Sequence, residues 1–134
     1  MSGEGLAQAK REGNFYADTR LKEQYTAMTL KGKELLGNRE AFVIEGSRAY
    51  GTWERLFFDV QSGLLLRRYW ETATFFGQLP SGLDYDDYRK VGSVRFPFLI
   101  RRSRPGTTLL QNISEIKLNV PIDDSTFKKP VVQK

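Results

Sequence analysis

Three aspartates, Asp84, Asp86 and Asp87, are the clustered carboxylates of this 134-residue sequence that lie near aromatic residues. On a β-strand Asp84 and Asp86 share one face, at a separation that suits the carboxyl pair of a glycosidase. Such pairs are also common on solvated strands, and the Asp-x-Asp-x-Asp-Gly pattern of a calcium loop is absent. We therefore expect neither catalysis nor a metal site here. We expect Asp87, Tyr88 and Arg89 to make polar pairs with the fourth or sixth strand.

The sequence contains no histidine and no cysteine. This excludes Ser-His-Asp and Cys-His catalysis, ordinary zinc sites, covalent haem attachment and disulfides. The glycines at 3 and 5 precede no strand–helix unit, so they do not form a phosphate-binding loop. Composition therefore favours a binding or structural module that is not an enzyme and has no cofactor.

Lysine and arginine exceed aspartate and glutamate by 21 to 16, which gives a net charge of +5. The densest basic stretch is 101–104, Arg-Arg-Ser-Arg. It has two interpretations, as solvated charges at strand ends or as a patch that faces phosphates or lipid headgroups. Nucleic-acid binding by a basic, aromatic sheet is the least favoured alternative, because the acids at 84, 86 and 87 lie among the same strands.

The hydrophobic pattern changes from helical to strand-like near residue 25. Residues 4–17 place Leu6, Ala9, Gly13 and Tyr16 on one helical face. From Tyr25 onward the period is two, and turn residues interrupt the chain at hairpin intervals. The predicted strands cover residues 25–35, 41–46, 53–60, 64–76, 84–91, 94–102 and 107–120, with a loop at 77–82.

These elements predict one domain over residues 1–134. Residues 1–24 form the helix and lead-in, 25–120 an antiparallel meander, and 121–134 a C-terminal turn and tail. Connections this short cannot hold the crossovers of a parallel sheet. In the tail, Asp123 or Asp124 is placed to cap a helical turn, and Phe127 to pin it to the core. Residues 1–5 lack the apolar stretch of an export signal, and no segment reaches the ~18–20 apolar residues that span a bilayer.

Two of the predicted strands are apolar on both faces. The third carries Leu56 and Phe58 on one side and Trp53 and Phe57 on the other. An antiparallel sheet with one solvated face would alternate more cleanly. Since one short helix cannot cover seven strands, the remaining surface calls for a curved sheet closing on itself, a ligand, a partner domain or a second subunit.

Several short strings in order over residues 25–130 resemble the C-terminal half of the outer-membrane lipoprotein-sorting (LolA-like) superfamily. More closely, they resemble bacterial modules that follow export signals or multihaem cytochrome c domains. The strings are Leu-Phe-Phe-Asp at 56–59, Ser-Gly-Leu-Leu at 62–65 with Arg67, Asp-Asp-Tyr-Arg at 86–89, Val-Gly at 91–92, Phe-Pro-Phe at 96–98, and Asn-Val-Pro-Ile-Asp-Asp at 119–124 with Phe127.

The resemblance implies a half-barrel, an unclosed antiparallel sheet whose concave side holds acyl chains of lipoproteins or other apolar ligands in the periplasm. This chain is shorter than a whole carrier and lacks most of the N-terminal strands and lid helices of that family. We therefore expect a mainly β fold, a curved antiparallel sheet of about seven strands with one short N-terminal helix.

Two sets of residues are candidates for binding. The first would line an apolar groove, or else form ordinary core beneath the helix: Phe42, Ile44, Leu56, Phe58, Phe96, Phe98 and Ile100. The second set, expected to be exposed, suits a partner interface: Trp53, Phe57, Tyr69, Trp70 and Phe75.

The sequence thus predicts a non-enzymatic, extracytoplasmic β-module that binds a lipid or acyl-type ligand, or that packs as an accessory domain on an upstream domain. The alternative is a ligand-free interaction module, such as a homodimer. Peripheral contact with a membrane is compatible with either function.

Overall fold

The computed structural model describes residues 3–14 and 20–131. Its one α-helix, α1 (Gly3–Glu12), precedes a seven-stranded sheet. The predicted helix is correct as far as Glu12; Gly13 and Asn14, which were included in it, lie beyond its end, and residues 15–17 lie outside the described ranges. The strands are β1 (Ala27–Leu36), β2 (Arg39–Ser47), β3 (Trp53–Asp59), β4 (Leu65–Thr74), β5 (Gly77–Val91), β6 (Val94–Arg104) and β7 (Thr107–Asn112), with single 3-10 turns at Leu21–Gln24, Ala49–Gly51 and Asp124–Phe127.

The strands follow one another in space in the order in which they occur in the chain. Every neighbouring pair is antiparallel, from β1 beside β2 to β6 beside β7. In the described residues β1 and β7 are therefore free edges, and the sheet does not close into a barrel. The predicted mainly β meander of seven strands with one short helix is confirmed. In the same residues no helix has the length and apolar content needed to cross a bilayer.

The turn between β3 and β4 forms as its residues predict. The Asp59 carboxylate accepts hydrogen bonds from the Gln61 amide (3.3 Å) and the Ser62 hydroxyl (2.6 Å). Gly63 adopts a φ of 71° and donates its amide to the Asp59 carbonyl at 2.8 Å. Aspartate and glycine thus supply the side-chain acceptor and the left-handed backbone that close this hairpin.

The predicted loop at 77–82 is wrong, because these residues begin β5. Thr74 pairs with Gly77, so the turn consists of Phe75 and Phe76. Pro80 lies in the ladder opposite Glu71. The β5–β6 ladder begins only at Gly82. The missing amide hydrogen of Pro80 therefore removes no bond to β6, and a proline is tolerated at this position.

Two predictions near the C-terminus also need correction. The seventh strand ends at Asn112 rather than at residue 120, and the Ile113 amide makes one further bond to the Phe98 carbonyl before the chain leaves the ladder. Asp123 caps the last 3-10 turn by accepting the Ser125 amide at 2.7 Å, as predicted. Phe127 does not pin that turn to the core, because its side chain is 77% exposed.

The two faces of the sheet are named here after adjacent residues of β3. Residues paired across antiparallel strands share a face. The Phe57 face contains the largest buried cluster: Ala41, Val43, Phe57 and Leu66, flanked by Leu36 and Tyr69. The Leu56 face contains two buried apolar side chains, Leu56 and Phe98.

Helix α1 does not cover either face. The extensive contacts between elements are all between neighbouring strands. The described helix approaches the 3-10 turn after β2, where Gly3 lies beside the Tyr50 ring. The core is accordingly small, and the prediction that one helix cannot cover this sheet is confirmed.

The lead-in to β1 packs on the Leu56 face through Tyr25. The Thr26 amide bonds the Ser47 carbonyl at 2.8 Å, which sets Tyr25 against Gly46 of β2. A Cβ placed on Gly46 would overlap the Tyr25 ring. Glycine is therefore required at position 46 by the close approach of an aromatic ring, rather than by a left-handed backbone.

We predict that Gly46→Ala lowers the free energy of unfolding by about 1–3 kcal/mol, because the Tyr25 ring must move. In a Tyr25→Ala background the same change should cost much less, since the obstructing ring is gone. Urea unfolding of the four proteins of this double-mutant cycle measures the coupling. Equal costs in the two backgrounds would contradict the packing described here.

Candidate functional site

The seven predicted groove residues all lie on the Leu56 face. Phe42 and Ile44 pair with Phe58 and Leu56 across β2 and β3. Pairing carries this face across the sheet, because Leu56 pairs with Arg68, Arg68 with Leu83, and Leu83 with Arg102 of β6. Residues 96, 98 and 100 alternate with Arg102 along β6 and therefore point to the same side. One sheet face therefore carries all seven side chains, four on β2 and β3 and three on β6.

Most of this face is only partly covered. Leu56 is fully buried and Phe98 is 7% exposed, whereas the other five groove residues are of intermediate exposure. Arg89 lies over the Phe98 ring at 4.6 Å and Lys33 over the Phe42 ring at 5.2 Å. Long cationic side chains thus supply part of the cover that no helix provides, through their aliphatic stems and through cation–π contact.

A charged cluster occupies the same face between the apolar groups. Glu54 of β3 is 1% exposed. Its carboxylate accepts bonds from Arg68 Nε (2.5 Å) and Nη2 (3.3 Å), from Arg48 Nη2, and from the Tyr25 hydroxyl at 2.8 Å. Arg48 also stacks on the Tyr25 ring, 4.7 Å from its centroid. We call Tyr25, Arg48, Glu54 and Arg68 the Glu54 cluster.

Glu54 and Arg68 hold each other in the ionised state, and Tyr25 stays protonated beside them. Burial alone would raise the pKa of Glu54, but hydrogen bonds and charge from Arg68, together with the charge of Arg48, bring it below the ordinary value. Burial and the neighbouring Glu54 charge raise the pKa of Tyr25 to about 12. Burial opposes the charge of Arg68, but Glu54 outweighs it and raises the pKa of Arg68.

The Glu54 cluster was not predicted from the sequence. One signal was present, since Glu54 alternates with Leu56 and Phe58 and therefore occupies a position that faces the core. Its partners come from the lead-in, from the β2–β3 connection and from β4, and only the register of the sheet brings them together.

The five predicted interface residues do not form one surface. Trp53 and Tyr69 lie on the Phe57 face with ring centroids 5.8 Å apart. Phe57 was expected to be exposed, which is wrong, because it is 6% exposed within the core cluster. Trp70 lies on the Leu56 face opposite Ser81, and Phe75 stands at the tip of the β4–β5 hairpin.

The predicted polar pairs around β5 form in part. Tyr88 donates its hydroxyl to the Leu65 carbonyl of β4 at 2.5 Å, as expected for a cross-strand pair. Asp87, at a bulge with a φ of 51°, instead pairs with Arg89 of its own strand. Asp84 pairs with Arg67 of β4, Nε to Oδ1 at 2.5 Å. This ion pair lines a concavity of about 490 Å³ on the sheet beside Tyr69, Ser103 and Arg104.

The comparisons with known proteins leave the family open. No family model, no curated protein and no solved structure matches this chain. The resemblance to the lipoprotein-sorting superfamily therefore stays a prediction, and function is argued from the geometry above.

We predict that Glu54→Gln destabilises the fold by about 3 kcal/mol, since it removes the buried carboxylate with which two largely buried guanidinium groups pair. Glu40 provides the matched control, because it pairs with Lys33 while half exposed. Glu40→Gln should cost no more than about 1 kcal/mol. Urea unfolding measures both variants, and similar losses would show that the cluster does not stabilise the fold.

The raised pKa of Tyr25 predicts a loss of stability in alkali. The unfolded phenol ionises near its ordinary value of 10.0, whereas the folded one holds its proton to about 12. The Tyr25 contribution is therefore complete below pH 10 and declines as the pH rises towards 12. Unfolding free energies of the wild type and of Tyr25→Phe should converge over that range. A difference that does not change with pH would refute the assignment.

At acid pH the dependence of stability on pH has the opposite sign. The pKa of Glu54 is lowered in the fold, so its contribution is present above the ordinary value of 4.5 and declines as the pH falls through the folded value. Glu54→Gln should lack this part of the acid transition.

Proposed function

We propose that this chain is an extracytoplasmic, non-enzymatic binding module that takes up an apolar, acyl-type ligand on the Leu56 face. The observation that carries the proposal is the common placement of the seven groove residues on one sheet face, with five of them left partly exposed. The resemblance to lipoprotein-sorting proteins supports both the ligand class and the location outside the cytoplasm.

The Glu54 cluster favours an anionic headgroup on that ligand. Leu56 pairs directly with Arg68, so the apolar surface and the cluster are continuous. Arg48 Nε is buried and has no hydrogen-bond partner among residues 3–14 and 20–131. A fatty-acid carboxylate would supply the missing acceptor, and an ionised acceptor bonds a guanidinium group more strongly than a neutral one does.

Burial of the acyl chain would supply the affinity. Each methylene removed from water contributes ~0.8 kcal/mol, so shielding eight carbons yields about 6 kcal/mol before the cost of ordering the chain. This corresponds to dissociation constants of roughly 40 micromolar or weaker. Such affinity suits a module that must also release what it holds.

A second function, association with another protein surface, is favoured by the amount of surface exposed. The chain exposes 10558 Å². A compact monomer of 15.4 kDa exposes about 7,200 Å², so the excess is larger than a standard interface removes from both partners. The free edges of β1 and β7 would accept a further strand. Sedimentation without lipid distinguishes the two functions, since association alone predicts a stable dimer or larger species.

The ligand proposal predicts an asymmetry between two adjacent residues of β6. Ile100 lies on the Leu56 face and Leu99 on the Phe57 face, and both are partly exposed. Ile100→Gln should weaken binding of a fluorescent fatty acid about tenfold, because it removes buried apolar contact. Leu99→Gln, the matched control, should leave the affinity nearly unchanged.

Displacement by unlabelled lipid completes this test. A long-chain fatty acid should displace the probe more strongly than its methyl ester, because the ester lacks the charge. Equal loss in the two variants, or the absence of saturable binding, would refute the ligand proposal. Binding in which the ester equals the acid would remove the role given to the Glu54 cluster.

A further inference from the structure

The β4–β5 hairpin projects beyond its neighbours. Its ladder extends to Thr74 and Gly77. The β3–β4 ladder reaches only to Tyr69, and the β5–β6 ladder begins at Gly82. Residues 70–74 and 77–81 therefore form a two-stranded ribbon that pairs with no third strand. At ~3.3 Å per residue, it extends about 16 Å past the ladders on either side.

The tip of this ribbon is apolar and open to solvent. Phe75 is 98% exposed and Phe76 is 86% exposed. Their rings meet edge to face, with centroids 5.5 Å apart and planes at 87°. No residue in the described ranges covers these two rings, so the tip presents an apolar surface to whatever lies outside the sheet.

The polar side chains near the tip of the ribbon bond one another or the turn backbone. The Thr74 hydroxyl accepts the Phe76 amide (3.1 Å) and donates to the Gly77 carbonyl (2.8 Å). The hydroxyls of Thr72 and Ser81 bond each other at 2.7 Å. No charged residue occurs from position 72 to position 83. Polar groups that satisfy one another, and the absence of charge, reduce the cost of entry into the edge of a hydrocarbon layer.

Basic residues stand behind the tip. The β6–β7 turn lies at the same end of the sheet as the β4–β5 turn, and Arg102 and Arg104 of β6 lead into it. Both side chains are exposed and make no ion pair in the described part of the chain. They are placed to meet anionic headgroups once the tip enters a bilayer.

We propose that the β4–β5 hairpin docks this chain on an anionic lipid bilayer, with Phe75 and Phe76 at the acyl boundary and Arg102 and Arg104 among the headgroup phosphates. The occupant is a lipid surface because the apolar tip and the cations behind it match the layering of a membrane. Docking of this kind uses none of the seven groove residues, and it is therefore independent of the proposed ligand site.

The test is flotation of the whole chain with vesicles of phosphatidylcholine, with and without phosphatidylglycerol. The double variant Phe75→Ser, Phe76→Ser should reduce binding to anionic vesicles at least tenfold. Phe127→Ser is its matched control, because Phe127 is an exposed phenylalanine outside the sheet, and it should bind as the wild type.

The cations are tested in the same assay. Arg102→Gln with Arg104→Gln should weaken binding to anionic vesicles by about tenfold or more, since each such charge contributes about fivefold near an anionic surface. Lys90→Gln with Arg95→Gln removes the same charge at the opposite end of the sheet and should have little effect. High salt should diminish the difference between the two pairs.

The depth to which the tip enters the bilayer is measured with a tryptophan placed at the tip. The emission of Phe75→Trp, corrected for the native tryptophans, should shift to shorter wavelength on vesicles, and that of Phe127→Trp should not. No vesicle binding, binding that survives the tip substitutions, or a tip that changes only the oligomeric state would overturn the proposal. If the tip variants still bind fatty acid, a failure of the docking proposal is distinguished from a failure of the ligand site.

Discussion

A sheet one layer thick has two faces, and this chain provides one short helix that packs on neither of them. Every strand is paired, so backbone hydrogen bonding is largely satisfied within the sheet. Cover for the apolar side chains is the unmet requirement. The Phe57 face meets it in part with a small cluster around Val43 and Leu66. The Leu56 face meets it with a tyrosine from the lead-in and with stacked cations, and leaves apolar groups partly open.

The Glu54 cluster makes the Leu56 face amphipathic and joins the lead-in to the sheet. Removing a carboxylate from water is costly, and the attraction of Arg48 and Arg68 compensates only where the geometry is good. That geometry depends on Gly46, whose missing side chain allows the Tyr25 ring to approach the sheet and its hydroxyl to reach Glu54. One glycine, one buried acid and the register of three strands therefore decide where a buried charge lies on this face.

Alternation predicted which residues of one strand share a face, because side chains on a regular strand repeat every two residues. Phe96, Phe98 and Ile100 could thus be assigned to one side of β6 from the sequence, whereas only the register places Phe42 on the same sheet face. The hairpin turn at Phe75 and Phe76 could not be predicted, because proline and glycine at 80–82 gave the stronger turn signal. The unpaired flank of β5 that tolerates Pro80 exists only in the folded sheet. The partners of Glu54 depend in the same way on register.

Under the proposed function, an external apolar group covers the Leu56 face. Methyl NMR with labelled isoleucine tests this directly, because Ile44 and Ile100 lie on that face and Ile122 lies outside the sheet. Titration with a long-chain fatty acid should shift the Ile44 and Ile100 methyl signals together, with one dissociation constant, and leave Ile122 in place. Signals of Ile44 and Ile100 that do not move at saturating lipid would contradict the account.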